Sequence, residues 1–78
     1  MRLFTVRTVG SEGVVKQKRF NSRNRALAHA RQHVESTLPK DVGDVLRKIP
    51  SDDGFLEVFH KVRACRDDIT VNVEISGG

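Results

Sequence analysis

The chain has 78 residues, of which 37% are hydrophobic and 31% charged, and it carries a net charge of +4 and one cysteine. This length leaves no room for a second core, so we expect residues 1–78 to form a single domain, and a lone cysteine excludes an internal disulfide. No apolar run approaches the ~20 residues that cross a membrane or suits a secretory signal, which favours a complete cytoplasmic protein without membrane contact.

The first two predicted elements are strands that form a hairpin. Residues Leu3–Val9 and Val14–Phe20 flank a loop at 10–13 that has glycine at both ends, which is typical of a tight connection. In the second strand Lys16 and Lys18 alternate with the same period as Val14 and Phe20, so charged and apolar side chains would share one face. The register of this strand therefore stays open.

Two helices are predicted next. Ser22 or Asn21 can cap the first, which Pro39 ends, and Asp41 can cap a shorter second helix that ends before Pro50. Both have apolar residues at helical spacing, so each should bury one face. These residues are Leu27, Ala30, Val34 and Leu38 in the first helix and Val42, Val45, Leu46 and Ile49 in the second.

A second hairpin is predicted near the C-terminus. Residues Ile69–Ile75 alternate strictly and carry β-branched side chains at every apolar position, which indicates a strand with one buried face. Residues Phe55–Cys65 read as the strand before it, with a turn at 66–68. The predicted fold is α+β with the order ββααββ, a four-stranded, mostly antiparallel sheet with two helices on one face.

Positive charge is concentrated in one part of the chain. From Gly13 to Val34 there are six Lys or Arg residues, two histidines and no acid. Such a block is usually kept for a partner of opposite charge, although an ordinary solvated face is the alternative. Exposed residues of the third predicted strand would extend this surface. Its aromatic residue, Phe59, is either exposed there or, if the register of the strand is shifted, buried. The predicted binding residues are Lys16, Lys18, Arg19, Arg23, Arg25, Phe59, Lys61 and Arg63.

Signals for catalysis or metal binding are weak. His29 and His33 have the i, i+4 spacing that can present two imidazoles to one metal, but only His60 and Cys65 could add a ligand. The two Asp-Asp pairs fall in predicted turns, where aspartate is common. We therefore expect no metal site, no cofactor and no enzymatic activity.

Two resemblances bear on function. Residues Gly13–Ser22, followed by Ala26, Leu27 and Arg31, resemble the strand-to-helix junction of AP2-like arm-binding domains of phage integrases. In that family a basic three-stranded sheet enters the major groove, so this resemblance implies DNA binding. In size, element order and lack of catalytic motifs the chain also resembles small accessory proteins of phages and mobile elements, anti-CRISPR proteins among them. That resemblance implies a non-enzymatic inhibitor that occludes a host complex.

The leading hypothesis is a non-enzymatic binding protein that docks through its basic surface on a host protein or nucleoprotein complex with an acidic patch, and inhibits or modulates it. The alternative is a small nucleic-acid-binding module that uses the same surface. A third hypothesis is a homodimer formed through a free strand edge or an open sheet face.

Overall fold

The structure, a computed structural model, describes residues 3–10 and 12–77, and within them the chain forms three strands and three helices in the order ββαααβ. The strands are β1 (Phe4–Val9), β2 (Val15–Phe20) and β3 (Asn72–Gly77), and the helices are α1 (Arg23–Thr37), α2 (Lys40–Leu46) and α3 (Asp52–Cys65). Both pairings in the sheet are antiparallel, and β1 lies between β2 and β3.

The predicted four-stranded sheet with two helices is wrong, because the segment predicted as the third strand is helix α3. Its start carries strong helix signals. The side chain of Ser51 accepts a hydrogen bond from the backbone N–H of Gly54 at 3.0 Å, and Asp52 and Asp53 occupy the first turn. An N-cap serine and acidic residues near the positive end of the helix dipole both stabilise a helix start.

Burial explains why the helix is preferred there. Phe55, Leu56 and Phe59 are all buried in α3, at the i, i+1 and i+4 positions that share one helix face. A strand would have left both phenylalanines on the face opposite Leu56. The helix therefore removes more apolar surface from water, at roughly 25 cal/mol per Å².

The predicted C-terminal hairpin is wrong as well, since β3 pairs with β1 and not with the segment before it. The alternation that suggested a strand is nevertheless present. Ile69, Val71 and Val73 are buried and Ile75 is half-buried. The strand begins at Asn72, later than predicted, so its first apolar residues pack on the core ahead of the ladder.

The N-terminal hairpin is confirmed, and its register is now defined. Lys18 is opposite Val6 and Lys16 is opposite Thr8. Gly13 has a φ of +83°, a left-handed conformation that favours glycine and closes the turn. Residue 11 of the predicted loop lies outside the described residues.

The helices cover one face of the sheet. The apolar stripe predicted for the first helix is confirmed, since Leu27, Ala30 and Val34 are buried and Leu38 is partly buried. In α2 the residue at the N-cap position is Pro39 and not Asp41, and Val45 is 67% exposed. The core comprises Val6, Ala26, Leu27, Ala30, Val34, Val42, Leu46, Phe55, Leu56, Phe59, Ile69, Val71 and Val73. No helix in the described part of the chain has the length and apolar character needed to span a membrane.

Candidate functional site

A groove with basic walls lies between the edge strand β2 and helix α1. Lys16 and Lys18 form its strand wall, and His29 and His33 form its helix wall. We call these four residues the basic groove. It contains two adjoining cavities of about 270 Å³ and 310 Å³, with Thr8 of β1 at the base of both. The groove is therefore large enough for a small anionic group.

The strand wall follows from the register of the hairpin. Side chains of directly paired residues lie on the same face of a sheet, so Lys16 and Lys18 lie on the helix side with Thr8 and Val6. They remain exposed because β2 is at the sheet edge. The Nζ atom of Lys18 lies 5.5 Å from the ring centroid of Phe20. This cation–π contact holds one lysine at the groove wall.

The helix wall carries two imidazoles one turn apart. The ring of His29 lies 5.1 Å from that of Phe20, centroid to centroid. Burial lowers the pKa of His29, and the positive charges of Lys18 and His33 lower it further. The Nε2 atom of His33 is buried without a hydrogen-bond partner among the described residues. The histidines therefore line the groove with hydrogen-bonding capacity that the protein itself does not use.

Two arginines extend the positive charge beyond the groove. Arg25 lies four residues before His29 on α1, so the two side chains share a face of the helix. Arg19 is opposite Thr5 in the ladder and therefore lies on the open face of the sheet. Neither arginine, nor either lysine of the groove, forms an ion pair with any described residue.

The other two arginines of the basic block bind carboxylates of the protein. Arg23 donates hydrogen bonds to both carboxylate oxygens of Asp53, at 2.9 and 3.1 Å, and this contact raises the pKa of Arg23. Arg31 pairs with Glu35 at 2.9 Å and with Asp52 at 3.3 Å. Predicted site residue Arg23 therefore connects α1 with α3 through an exposed ion pair.

Three predicted site residues lie on α3, outside the groove. Phe59, for which exposure and burial were both open, is fully buried, so it cannot contact a partner. Lys61 is exposed and lies 3.5 Å from a carboxylate oxygen of Glu57. The Nε–H of Arg63 donates to the carbonyl of Val71 at 3.0 Å. The predicted surface is thus divided: Lys16 and Lys18 line the groove, Arg25 lies beside it on α1, and the other members lie elsewhere.

The histidines were missed as members of the site, because their i, i+4 spacing was considered only for metal binding. A signal was available in the four-residue spacing of Arg25, His29 and His33, which places basic side chains along one side of the helix.

An apolar depression lies outside the groove, between α2 and α3, and exposed Val45 is one of its lining residues. Among the described residues there is no group of three or more side chains suited to hold a metal ion.

Comparisons of this chain with protein-family models, with curated protein sequences and with solved structures find no match. The chemistry of the basic groove is therefore the guide to function.

Proposed function

We propose that this chain is a non-enzymatic binding protein that docks through the basic groove on the nucleic acid of a nucleoprotein complex. The observation that supports this most is the unpaired charge of Lys16, Lys18, Arg19 and Arg25, all near one edge of the sheet. None of them forms an ion pair with a described residue. Cations without internal partners are available to neutralise phosphates and release counterions.

The absence of an exposed aromatic anchor in this region favours phosphate over an acidic protein. Tight protein interfaces depend on a few aromatic or arginine anchors in well-packed pockets. Phe59 is buried in the core, and Phe20 is half-buried and contacted by Lys18 and His29. The exposed side chains of β2 are mostly charged or polar, which suits a polyanion, and the apolar side chains of Val14 and Val15 are exposed beside them. Docking on an acidic protein patch is the competing proposal.

Carboxylates are concentrated away from the groove. Five of them lie on the two helices that do not line it: Asp41 and Asp44 on α2, and Asp52, Asp53 and Glu57 on α3. The same segment, residues 40–66, also carries six bases, whereas residues 13–34 carry bases and no carboxylate at all. Occlusion of the bound complex, which the resemblance to phage accessory proteins implies, would be the consequence of docking.

Fluorescence anisotropy with a labelled single-stranded oligonucleotide and a labelled duplex tests the proposal at about 50 and 200 mM salt. With three phosphates neutralised, by Lys16, Lys18 and Arg25, the log–log salt slope on a single strand should be about −2, which weakens binding about twentyfold over this interval. We expect Lys16→Gln with Lys18→Gln to remove most of this binding.

The matched control is Lys40→Gln with Lys48→Gln, which makes the same change in net charge on exposed residues outside the groove. It should bind almost as the unchanged protein does. Equal losses in the two double variants would show that total charge matters and that the groove does not. Salt-insensitive capture of an acidic protein, with no oligonucleotide binding, would favour the competing proposal.

A further inference from the structure

We propose that the basic groove binds two successive phosphates of one unpaired nucleic-acid strand, the first between Lys16 and His33 and the second between Lys18 and His29. This inference rests on the proposed function. It adds the form of the nucleic acid and the groups that hold it.

The four side chains are arranged as two pairs along the groove. Lys16 and His33 both line both cavities, whereas Lys18 and His29 line only the second. Lys18 and His29 also contact the same ring, that of Phe20, at 5.5 and 5.1 Å. Each pair therefore joins one residue from the strand wall with one from the helix wall.

The spacing of the pairs matches along both walls. The two lysines are two residues apart on a strand, a step of about 6.6 Å. The two histidines are four residues apart on a helix, a step of about 6 Å. Both steps are close to the separation of successive phosphates along a nucleic-acid strand, so one backbone can contact both pairs without a change in the protein.

The two walls favour a single strand over a duplex. A phosphate that lies between a lysine and a histidine is contacted from two sides. The backbone of an unpaired strand can enter such a groove and leave its bases outside. In a duplex the paired bases stand behind each backbone, so the phosphates are presented mainly from one side.

The unused nitrogen of His33 is a second sign of a ligand. A buried polar atom without a hydrogen-bond partner destabilises a protein, and this Nε2 atom has no partner among the described residues. The His33 side chain lines both cavities, so this nitrogen belongs to a residue of the groove wall. A phosphate oxygen there would accept a hydrogen bond from the protonated imidazole.

The charges around the histidines predict pH-dependent binding. Burial, and then the positive charges of Lys18 and His33, lower the pKa of His29. The other charged groups near the groove are Lys16 on β2, Arg25 on α1 and Glu12, which lines the first cavity. From β1 the groove receives only neutral side chains. A bound phosphate offsets the cationic surroundings and raises the histidine pKa in the complex. Affinity should therefore rise as pH falls through that pKa, and level off below the pKa of the free protein.

The experiment measures anisotropy of labelled oligothymidylate and of a duplex of equal length at about pH 8 and about pH 5.5, on either side of the usual histidine pKa. We expect single-strand affinity to rise about tenfold at the lower pH and to exceed duplex affinity. His29→Gln with His33→Gln should weaken single-strand binding at both pH values and lose the rise at the lower one. His60→Gln, at an exposed histidine outside the groove, should keep it.

The same titration by NMR, with and without oligothymidylate, avoids variants that fail to fold. The pKa of His29 should rise in the complex, and the ring signals of His33 should shift on binding whereas those of His60 should not. Binding without a histidine pKa change would overturn this inference and leave the proposed function standing, and so would a preference for duplex. No salt-dependent binding of either oligonucleotide at either pH would overturn both.

Discussion

Asp53 accepts two hydrogen bonds from the guanidinium of Arg23, which lies 30 residues earlier in the chain, and this pair joins the first turns of α1 and α3. Arg25, two residues further along α1, has no such partner among the described residues.

We expect Arg23→Gln to lower the melting temperature slightly and change oligonucleotide affinity less than about twofold. Arg25→Gln should leave melting unchanged and reduce the salt slope on a single strand by about 0.7. Calorimetry and anisotropy of both variants check this, and the reverse pattern would exclude Arg25 from the site.

Phe59→Ala should destabilise the protein strongly. The ring is fully buried in the core, and truncation of a core phenylalanine costs about 3–5 kcal/mol. A domain of this size has a free energy of unfolding of roughly 5–15 kcal/mol, so this loss is a large part of it. Urea unfolding followed by circular dichroism measures it.

Val45→Ala is the matched control for that truncation. Its side chain lies on a helix that also contributes to the core, but Val45 is 67% exposed. Its loss should therefore change the free energy of unfolding by no more than about 0.5 kcal/mol. A cost comparable with that of Phe59→Ala would contradict the packing described for α2.

The ion pairs of Arg66 predict acid sensitivity. Hydrogen bonds from Arg66 lower the pKa values of Asp41 and Asp68 below their ordinary value of 3.8. A carboxylate with a lowered folded-state pKa adds stability that is fully present above its unfolded pKa and is lost as pH falls through the folded one. Arg66→Gln should therefore melt below the unchanged protein at neutral pH, and the difference should vanish near about pH 2. A constant difference across this range would show that the arginine acts through packing alone.

Arg31 is the arginine of the basic block whose loss should most affect stability. Its side chain is 14% exposed, its guanidinium carbon lies 4.6 Å from the ring centroid of Phe55, and it bonds Glu35 and Asp52. We expect Arg31→Gln to cost about 2 kcal/mol, since hydrogen bonds between charged groups contribute roughly 1.5–3 kcal/mol.

Arg31→Lys tests the geometry of that contact. Lysine keeps the charge but lacks the planar fork that reaches several acceptors at once. It should recover less than half of the lost stability in urea unfolding. Full recovery would mean that charge alone determines the role of Arg31.

The sequence pattern predicted the structure correctly in segments whose own residues determine their conformation. The first hairpin follows from two β-rich segments around a glycine-bounded loop, and α1 follows from an apolar stripe with helical spacing. Residues 55–65 defeated the same reasoning because they fit both periods: Leu56, Val58 and Val62 alternate as in a strand, and Phe55, Phe59 and Val62 have the i, i+4, i+7 spacing of a helix. The cap at Ser51 and the paired phenylalanines separate the two possibilities, since a strand would expose both rings.

The composition of the site depended on contacts between distant segments. The charge count correctly marked residues 13–34 as unusual, but it could not separate Arg25 from Arg23, whose partner lies on α3. Similarly, the i, i+4 histidines became part of a groove only through the position of β2 beside α1. A sequence shows which charges exist, whereas packing decides which of them have internal partners.

The outer edge of strand β2 affects the tendency of the protein to aggregate. It is exposed along most of its length, and within the described residues no strand pairs with its outer side. Lysines on such an edge discourage a second copy from adding its own strand, because like charges would face each other. Neutralisation of Lys16 and Lys18 therefore removes a safeguard against aggregation, and the double variant should self-associate more than the unchanged protein in sedimentation.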